Sequence, residues 1–306
     1  MTISKYIRDY WGKPVSDIPL KDRIEKLCEA IRSAECILVG AGSGLSTAAG
    51  IEYGGERFQR LFPDFIEKYH LSDMYSASFY QFPTEEERWA YMARHILVNR
   101  FDTPDTELFC QLKKLLDGKD YFVITTNVDG QFEKYGFPAD RLFAVQGDYA
   151  YLQCADGCHD KLYYDEDLVR NMVAHTEDCR IPSGLVPRCP ECGGAMEVHI
   201  RKDDRFVQDQ QWYDAAAHYE SFLNKALEAK TVLLEFGVGF NTPGIIRFPF
   251  EKYASSHDNV TLARFNKQSP DKILPIRSYL PFPEDIPSVL AGLLETTRQP
   301  TPQTTH

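Results

Sequence analysis

Short, continuous apolar runs alternate along this chain with longer stretches whose apolar residues recur at helical spacing. Ile24, Leu27, Cys28 and Ile31 lie on one face of a helix predicted from Leu20 to Ser33. The run Cys36–Val39 then breaks into Gly40-Ala41-Gly42-Ser43-Gly44, which reads as a buried strand turning sharply into a helix. Similar runs follow at Tyr121–Thr125, Leu142–Val145, Thr231–Phe236 and Asn259–Ala263. Between them, a helix opening at Thr103-Pro104-Asp105 carries Leu108, Leu112, Leu115 and Leu116 on one face, and another runs from Asp209 through Ala229. Uninterrupted apolar strands alternating with amphipathic helices predict an α/β fold with a doubly wound parallel sheet.

Two stretches break the rhythm. Residues 52–102 are dense in aromatics, and a helical pattern runs through Glu85–Arg100, with Thr84 and Glu87 spaced as a capping box. Aromatic residues at helical spacing read as a packed core rather than a ligand box. Residues 151–208 hold most of the cysteines. The expected organisation is therefore a main domain from 20–51, 103–150 and 209–298, a helical insertion at 52–102 and a second module at 151–208. The polar tail 299–306, rich in Pro and Thr, is expected to be disordered.

Composition narrows the function. A net charge of −11 argues against general affinity for nucleic acid or for an anionic membrane. The first residues lack a signal-peptide core and no segment approaches a membrane span, so a cytoplasmic protein is expected. Of the eight cysteines, Cys28, Cys36 and Cys110 read as plain buried thiols. Cys154-x3-Cys158 and Cys189-x2-Cys192 are two knuckles, with Pro190 and Gly193-Gly194 favouring the tight turn. They suit a tetrahedral zinc ion, and four thiolates leave no open position, so the metal should be structural. Cys179 and His159 are competing ligands whose spacing fits less well.

The remaining candidates lie where strands end, the edge at which open parallel sheets bind ligands. Glycine in the first turn lets the backbone approach a diphosphate seated on a helix N-terminus, although any tight strand-to-helix turn can use such residues. Thr126-Asn127-Val128-Asp129-Gly130 ends the second strand, Gln146-Gly147-Asp148 the third, and Gly237-Val238-Gly239-Phe240-Asn241 the fourth. Asn127 and Asp129 also fit a helix cap, Gln146 a solvated loop and Arg201 a surface charge.

Taken together, Gly40-Ala41-Gly42 running to Ala49-Gly50-Ile51, the Asn127–Gly130 strand end, the inserted cysteine pairs, Gly237-Val238-Gly239 and Asn266 resemble the sirtuin family over about residues 20–270. Sirtuins consume NAD on a Rossmann-like fold. The resemblance implies that Gly40, Ala41, Gly42, Ser43 and Gly50, together with Gly237, Val238, Gly239, Asn241 and Asn266, hold the ADP-ribose. It also implies that Asn127 and Asp129 line the nicotinamide pocket, with Thr126 and Gln146 also among the cofactor-binding residues. The chain departs from the family in several places. Where the family continues Ile-Pro-Asp-Phe-Arg, this sequence has Ile51-Glu52-Tyr53-Gly54-Gly55-Glu56-Arg57, and its turn is longer. Thr126 stands where Gln is usual, and Gln146 occupies the place of the catalytic histidine. The apolar substrate stretch is replaced by His199-Ile200-Arg201-Lys202-Asp203-Asp204-Arg205. These departures resemble the macrodomain-linked (class M) sirtuins.

Deacylation needs a base to resolve its intermediate, and an amide cannot take that proton. ADP-ribosyl transfer lacks that stage. The expectation is an NAD-dependent protein ADP-ribosyltransferase with Asn127, Asp129, Gln146 and Arg201 as its catalytic residues. The resemblance implies a lipoylated carrier protein as acceptor and a macrodomain hydrolase as functional partner. The alternatives are a lysine deacylase using another base and a catalytically silent NAD-binding sensor.

Overall fold

The structure is a computed structural model that describes residues 18–298; the expected tail 299–306 lies outside them. Its strands are β1 (Cys36–Ala41), β2 (Tyr121–Thr125), β3 (Leu142–Ala144), β4 (Gly147–Cys154), β5 (Tyr163–Tyr164), β6 (Met196–Ile200), β7 (Thr231–Phe236), β8 (Val260–Phe265) and β9 (Tyr279–Phe282). Six of them form a parallel sheet in the order β3-β2-β1-β7-β8-β9. Every residue of β1 and of β7 is buried, which is why both read as mainly apolar runs rather than alternating ones, Glu235 being the buried, charged exception in β7.

Successive β1 residues face opposite layers. Ile37, Val39 and Ala41 pack with the helices Leu20–Ser33, Glu107–Leu115 and Ile286–Arg298. Leu38 packs toward Gln210–Glu228 and Arg247–Ser256. Each fully buried large apolar side chain in these layers contributes about 2 kcal/mol. The strand order reverses between β1 and β7, so the first glycine turn stands at the topological switch point, where open parallel sheets hold ligands in a crevice.

Some boundaries differ from the sequence reading. The helix expected from Thr103 begins at Glu107, because Thr106 supplies the cap and its hydroxyl accepts from the Leu108 N–H at 3.2 Å. Strand β9 was not anticipated. It carries Pro281, which a parallel sheet tolerates at its edge, and its apolar run is too short and Pro-broken to stand out. Cys110 is only half-buried, unlike Cys28 and Cys36.

The second module starts earlier than expected. Its antiparallel sheet, in the order β5-β4-β6, begins at Gly147 rather than at 151. It is also not separate from the helical insertion. Residues 52–102 fold into the short helices Gly55–Leu61, Pro63–Tyr69 and Met74–Ala77 and the longer Glu85–Ile96, which continues as a π-turn through Phe101. Thr84 caps the helix as expected, its hydroxyl accepting from the Glu87 N–H at 3.3 Å, while the Glu87 carboxylate reaches back to accept from the same hydroxyl at 3.0 Å. Phe62, Phe65 and Tyr91 pack with ring centroids 5.2–6.2 Å apart. That aromatic core is continuous with Val169, Met172, Ile181 and Val198 of the second module. The two insertions thus bury their apolar faces against each other. Among the described residues, no helix is long and apolar enough to cross a membrane.

Candidate functional site

The crevice is formed by backbone turns that touch each other. Gly42 N–H donates to the Phe236 carbonyl at 2.9 Å and Gly44 N–H to the Gly237 carbonyl at 3.0 Å. A Cβ on Gly42 would come within 2.9 Å of the Gly237 oxygen and of Val238 Cα, and one on Gly44 within 2.7 Å of Gly237 Cα. Gly237 has φ +61°, and a Cβ there would sit 2.4 Å from Gly44 C and Leu45 N. These glycines are thus required first by the contact between the two turns. Gly40 is constrained differently, by Ile246 and Phe250 packed over it. Gly239 has open space where a side chain would go.

The ends of β2 and β8 join the same edge. Thr126 N–H donates to the Ala41 carbonyl at 3.0 Å, and Gly237 N–H to that of Phe265 at 2.8 Å. Asn266 Nδ2 donates to the Val238 carbonyl at 2.9 Å. Asn127 Nδ2 donates both to the Gly42 carbonyl and to Ser46 Oγ, each at 3.0 Å. The Ser46 hydroxyl in turn donates to the buried Asp129 carboxylate, whose other oxygen accepts from the Gln131 N–H at 3.3 Å. Burial pushes the Asp129 carboxyl above its ordinary range, and the Ser46 hydrogen bond works against that rise. Ser43 is exposed at the start of the short helix Ser43–Ala48, and Gly50, with φ +86°, lies beyond its far end. Asn241 is exposed on the loop past Gly239.

Gln146 reaches this edge through the backbone. Val145 N–H donates to the Thr125 carbonyl at 3.1 Å and Tyr149 N–H to that of Val128 at 2.9 Å, so residues 146–148 lie against the β2 end. The Gln146 carbonyl accepts from Arg201 N–H at 2.9 Å, which brings two residues far apart in sequence together. The Arg201 guanidinium lies 4.7 Å from the Phe206 ring centroid and 5.7 Å from that of Trp212. Among the described residues it has no carboxylate in ion-pair range.

Several participants were missed in the sequence. Ser46 links Asn127 to Asp129, yet in a run of Ser, Thr and Ala nothing marks it out. Arg100 forks onto Asp148 at 2.7 and 3.0 Å, across 48 positions. Tyr53, in the departing segment, meets Tyr149 at 3.3 Å, and Tyr149 meets His95 Nε2 at 3.0 Å. Burial with Arg57 nearby holds the His95 imidazole neutral, its pKa lowered to about 3. A cavity of about 530 Å³ opens outside β3 beside Arg100, Asp148, His199 and Trp212, and none of the glycine-turn residues line it.

The cysteine pairs converge as expected. Cys154 Sγ lies 3.7 Å from Cys192 Sγ, and Cys158 Sγ 3.7 Å from Cys189 Sγ. A tetrahedron with Zn–S bonds of about 2.3 Å has edges of about 3.8 Å, so these separations fit a zinc ion. Gly193, with φ +73°, makes the second knuckle, its N–H donating to the Cys189 carbonyl at 2.8 Å. His159 is closer than its spacing suggested: Nδ1 is 3.0 Å from Cys158 Sγ and 4.0 Å from Cys189 Sγ, and Nε2 is 2.9 Å from the Tyr163 hydroxyl. His159 groups with Cys154, Cys158 and Cys189 within 4.8 Å, while Cys192 stands outside that group and adjoins it through Cys154. Cys179 is buried instead in the core shared with the helical insertion.

No protein-family model matches the sequence. The chain is 37% identical over 246 residues, 80% of its length and 78% of the relative's, to a protein ADP-ribosyltransferase of Staphylococcus aureus. It is 34% identical over 274 residues to a probable bifunctional ADP-ribose hydrolase/ADP-ribosyltransferase of Fusarium oxysporum, covering 86% of this chain and 45% of that one. Among solved structures, a Sir2 homologue in complex with NAD matches with a TM-score of 0.55 at 16% identity, over 95% of this chain and 98% of that one. A Sir2 homologue mutant with 2′-O-acetyl ADP-ribose matches with a TM-score of 0.57 at 16% identity, over 90% and 96%. At that identity the likeness is one of fold.

Proposed function

This chain belongs to the sirtuin family, and on that premise we propose that it is an NAD-dependent protein ADP-ribosyltransferase that modifies a carboxylate on a partner protein. The observation that carries the reading is Gln146 at the β2–β3 edge, backbone-bonded to Arg201. In this reading the two glycine turns and Asn266 hold the ADP-ribose. Asn127 and Asp129, braced through Ser46, hold the nicotinamide end.

The chemistry is a single displacement. The C1′–nitrogen bond of NAD breaks, and its electron pair neutralises the pyridinium as nicotinamide leaves. An acceptor carboxylate oxygen forms the new bond to C1′. A carboxylate brings no proton to remove, so the step needs no general base, which is consistent with an amide at position 146. Gln146 has the hydrogen-bonding capacity to hold a ribose hydroxyl. Arg201, stacked on Phe206 and Trp212 and without a carboxylate partner among the described residues, would receive the acceptor. The zinc cluster, held by Cys154, Cys158, Cys189 and Cys192, takes a structural part.

The acceptor we favour is a lipoylated carrier protein, with a macrodomain hydrolase as the enzyme that reverses the modification. The relative that joins ADP-ribose hydrolase and transferase in one name supports that pairing. The test is incubation with labelled NAD and the carrier. Label on the carrier, lost in Arg201→Ala, is expected. Cleavage of an acyl-lysine peptide with no label on protein would overturn the reading in favour of the deacylase.

A further inference from the structure

Beneath the second glycine turn lie four charged side chains that the displacement does not use. Glu235, Arg264, Arg247 and Glu251 are each exposed by 1% or less. Glu235 and Arg264 are register partners one residue before the ends of β7 and β8. Arg264 forks onto Glu235 at 2.6 and 2.9 Å, and its third nitrogen donates to Glu251 and to the Asp271 carbonyl, both at 2.7 Å. The other Glu251 oxygen accepts the N–H groups of Ile273 at 2.8 Å and Leu274 at 3.2 Å. Arg247 donates to the carbonyls of Ser269 and Asp271 at 3.0 Å and of Val238 at 3.2 Å.

Burying ions costs several kcal/mol each before they pair, and apolar residues of similar volume would hold the sheet as well. The network is distinguished by where its outward bonds end. They fall on the backbone of two segments, at Val238 and at 269–274. Asn266 spans the same two, donating to the Val238 carbonyl at 2.9 Å and accepting the Ser269 N–H at 2.9 Å. The Phe240 ring, more than half exposed, covers the Arg247 guanidinium, 4.3 Å from its centroid.

We propose that this buried quartet is a positioning device for NAD, holding the Gly237–Gly239 turn and the segment 266–274 in their receiving arrangement before the dinucleotide arrives. The proposal rests on reading that turn and Asn266 as NAD contacts. Preorganisation of this kind appears as affinity, because the loops need no ordering on binding.

Calorimetric titration of the full chain with NAD tests it. Glu251→Gln keeps the shape and removes the charge; Arg247→Lys keeps the charge and removes the fork. Each is expected to bind NAD about tenfold more weakly at a temperature where circular dichroism shows it folded. Arg277→Gln, at an exposed ion pair with Asp258, is expected to bind as the wild type does. Wild-type affinity in both folded quartet variants would overturn the proposal. Should neither variant fold, hydrogen exchange on the wild type decides: the Ser269, Ile273 and Leu274 amides are expected to be protected already without NAD, and amides that exchange freely there until NAD is added would overturn it. A wild type that binds no NAD would instead sink the reading of the crevice, and this proposal with it.

Discussion

The cysteine cluster and the strand-end crevice proposed for NAD are assembled by opposite means. The cluster draws its donors from two short stretches, 154–159 and 189–192, and depends on side-chain identity. The crevice draws on the ends of β1, β2, β7 and β8, which are spread over more than two hundred residues, and depends mainly on backbone shape. Gly42, Gly44 and Gly237 serve the contact between turns, and a few side chains, among them Asn127, Ser46, Asp129, Asn266 and Arg247, hold it together. A metal site of this kind tolerates change around its ligands. The crevice should be sensitive wherever a Cβ would enter.

Removing the metal separates the two regions most sharply. Structural zinc binding is worth on the order of 10 kcal/mol. A strong chelator, or Cys189→Ser, should therefore abolish the near-ultraviolet signal of the β4–β6 module. NAD affinity, measured by titration, should fall far less; equal loss of both would break the distinction.

Within the crevice, Asn127→Ala removes the donor shared by Gly42 and Ser46. Nicotinamide release should slow by about 10²–10³-fold with little change in melting temperature. Gly237→Ala tests the backbone argument. Its Cβ meets Gly44 and Leu45 at 2.4 Å from a left-handed φ of +61°, so a loss of about 3 kcal/mol is expected by chemical denaturation. The same change at Gly239, where the space is open, should leave stability nearly unchanged.

A pH-dependent effect concerns Asp165, 1% exposed at the start of the Glu166–Ala174 helix, with neither carboxyl oxygen hydrogen-bonded among the described residues. Burial, reinforced by the Asp148 carboxylate, pushes it up to about 8. Unfolded Asp titrates at about 4, so the folded state holds the proton more tightly. Its stabilisation is full below about pH 4 and is lost as the pH rises through about 8. Melting temperature followed across that window should decline in the wild type and decline less in Asp165→Asn.

Much of the fold was legible because parallel strands buried on both faces are mainly apolar: β1 and β7 stood where their runs predicted. Strand β9 was hidden because an edge position admits Pro281, which erases the run. The cysteine pairs were visible because zinc ligands come from local turns, whereas His159 entered the cluster only through the path of the chain between them. Asn127, Asp129 and Gln146 were visible as polar residues at strand ends. Ser46 was not, since its role exists only once β2 brings Asn127 and Asp129 to it. By itself, then, the sequence determined five of the six strands of the parallel sheet, the cysteine knuckles and the polar strand ends, all of which follow from short-range spacing. The tertiary structure alone decided that the two glycine turns interlock, that Gln146 meets Arg201, and that four buried charges lie beneath the second turn. Those contacts join residues many positions apart, and no local periodicity records them.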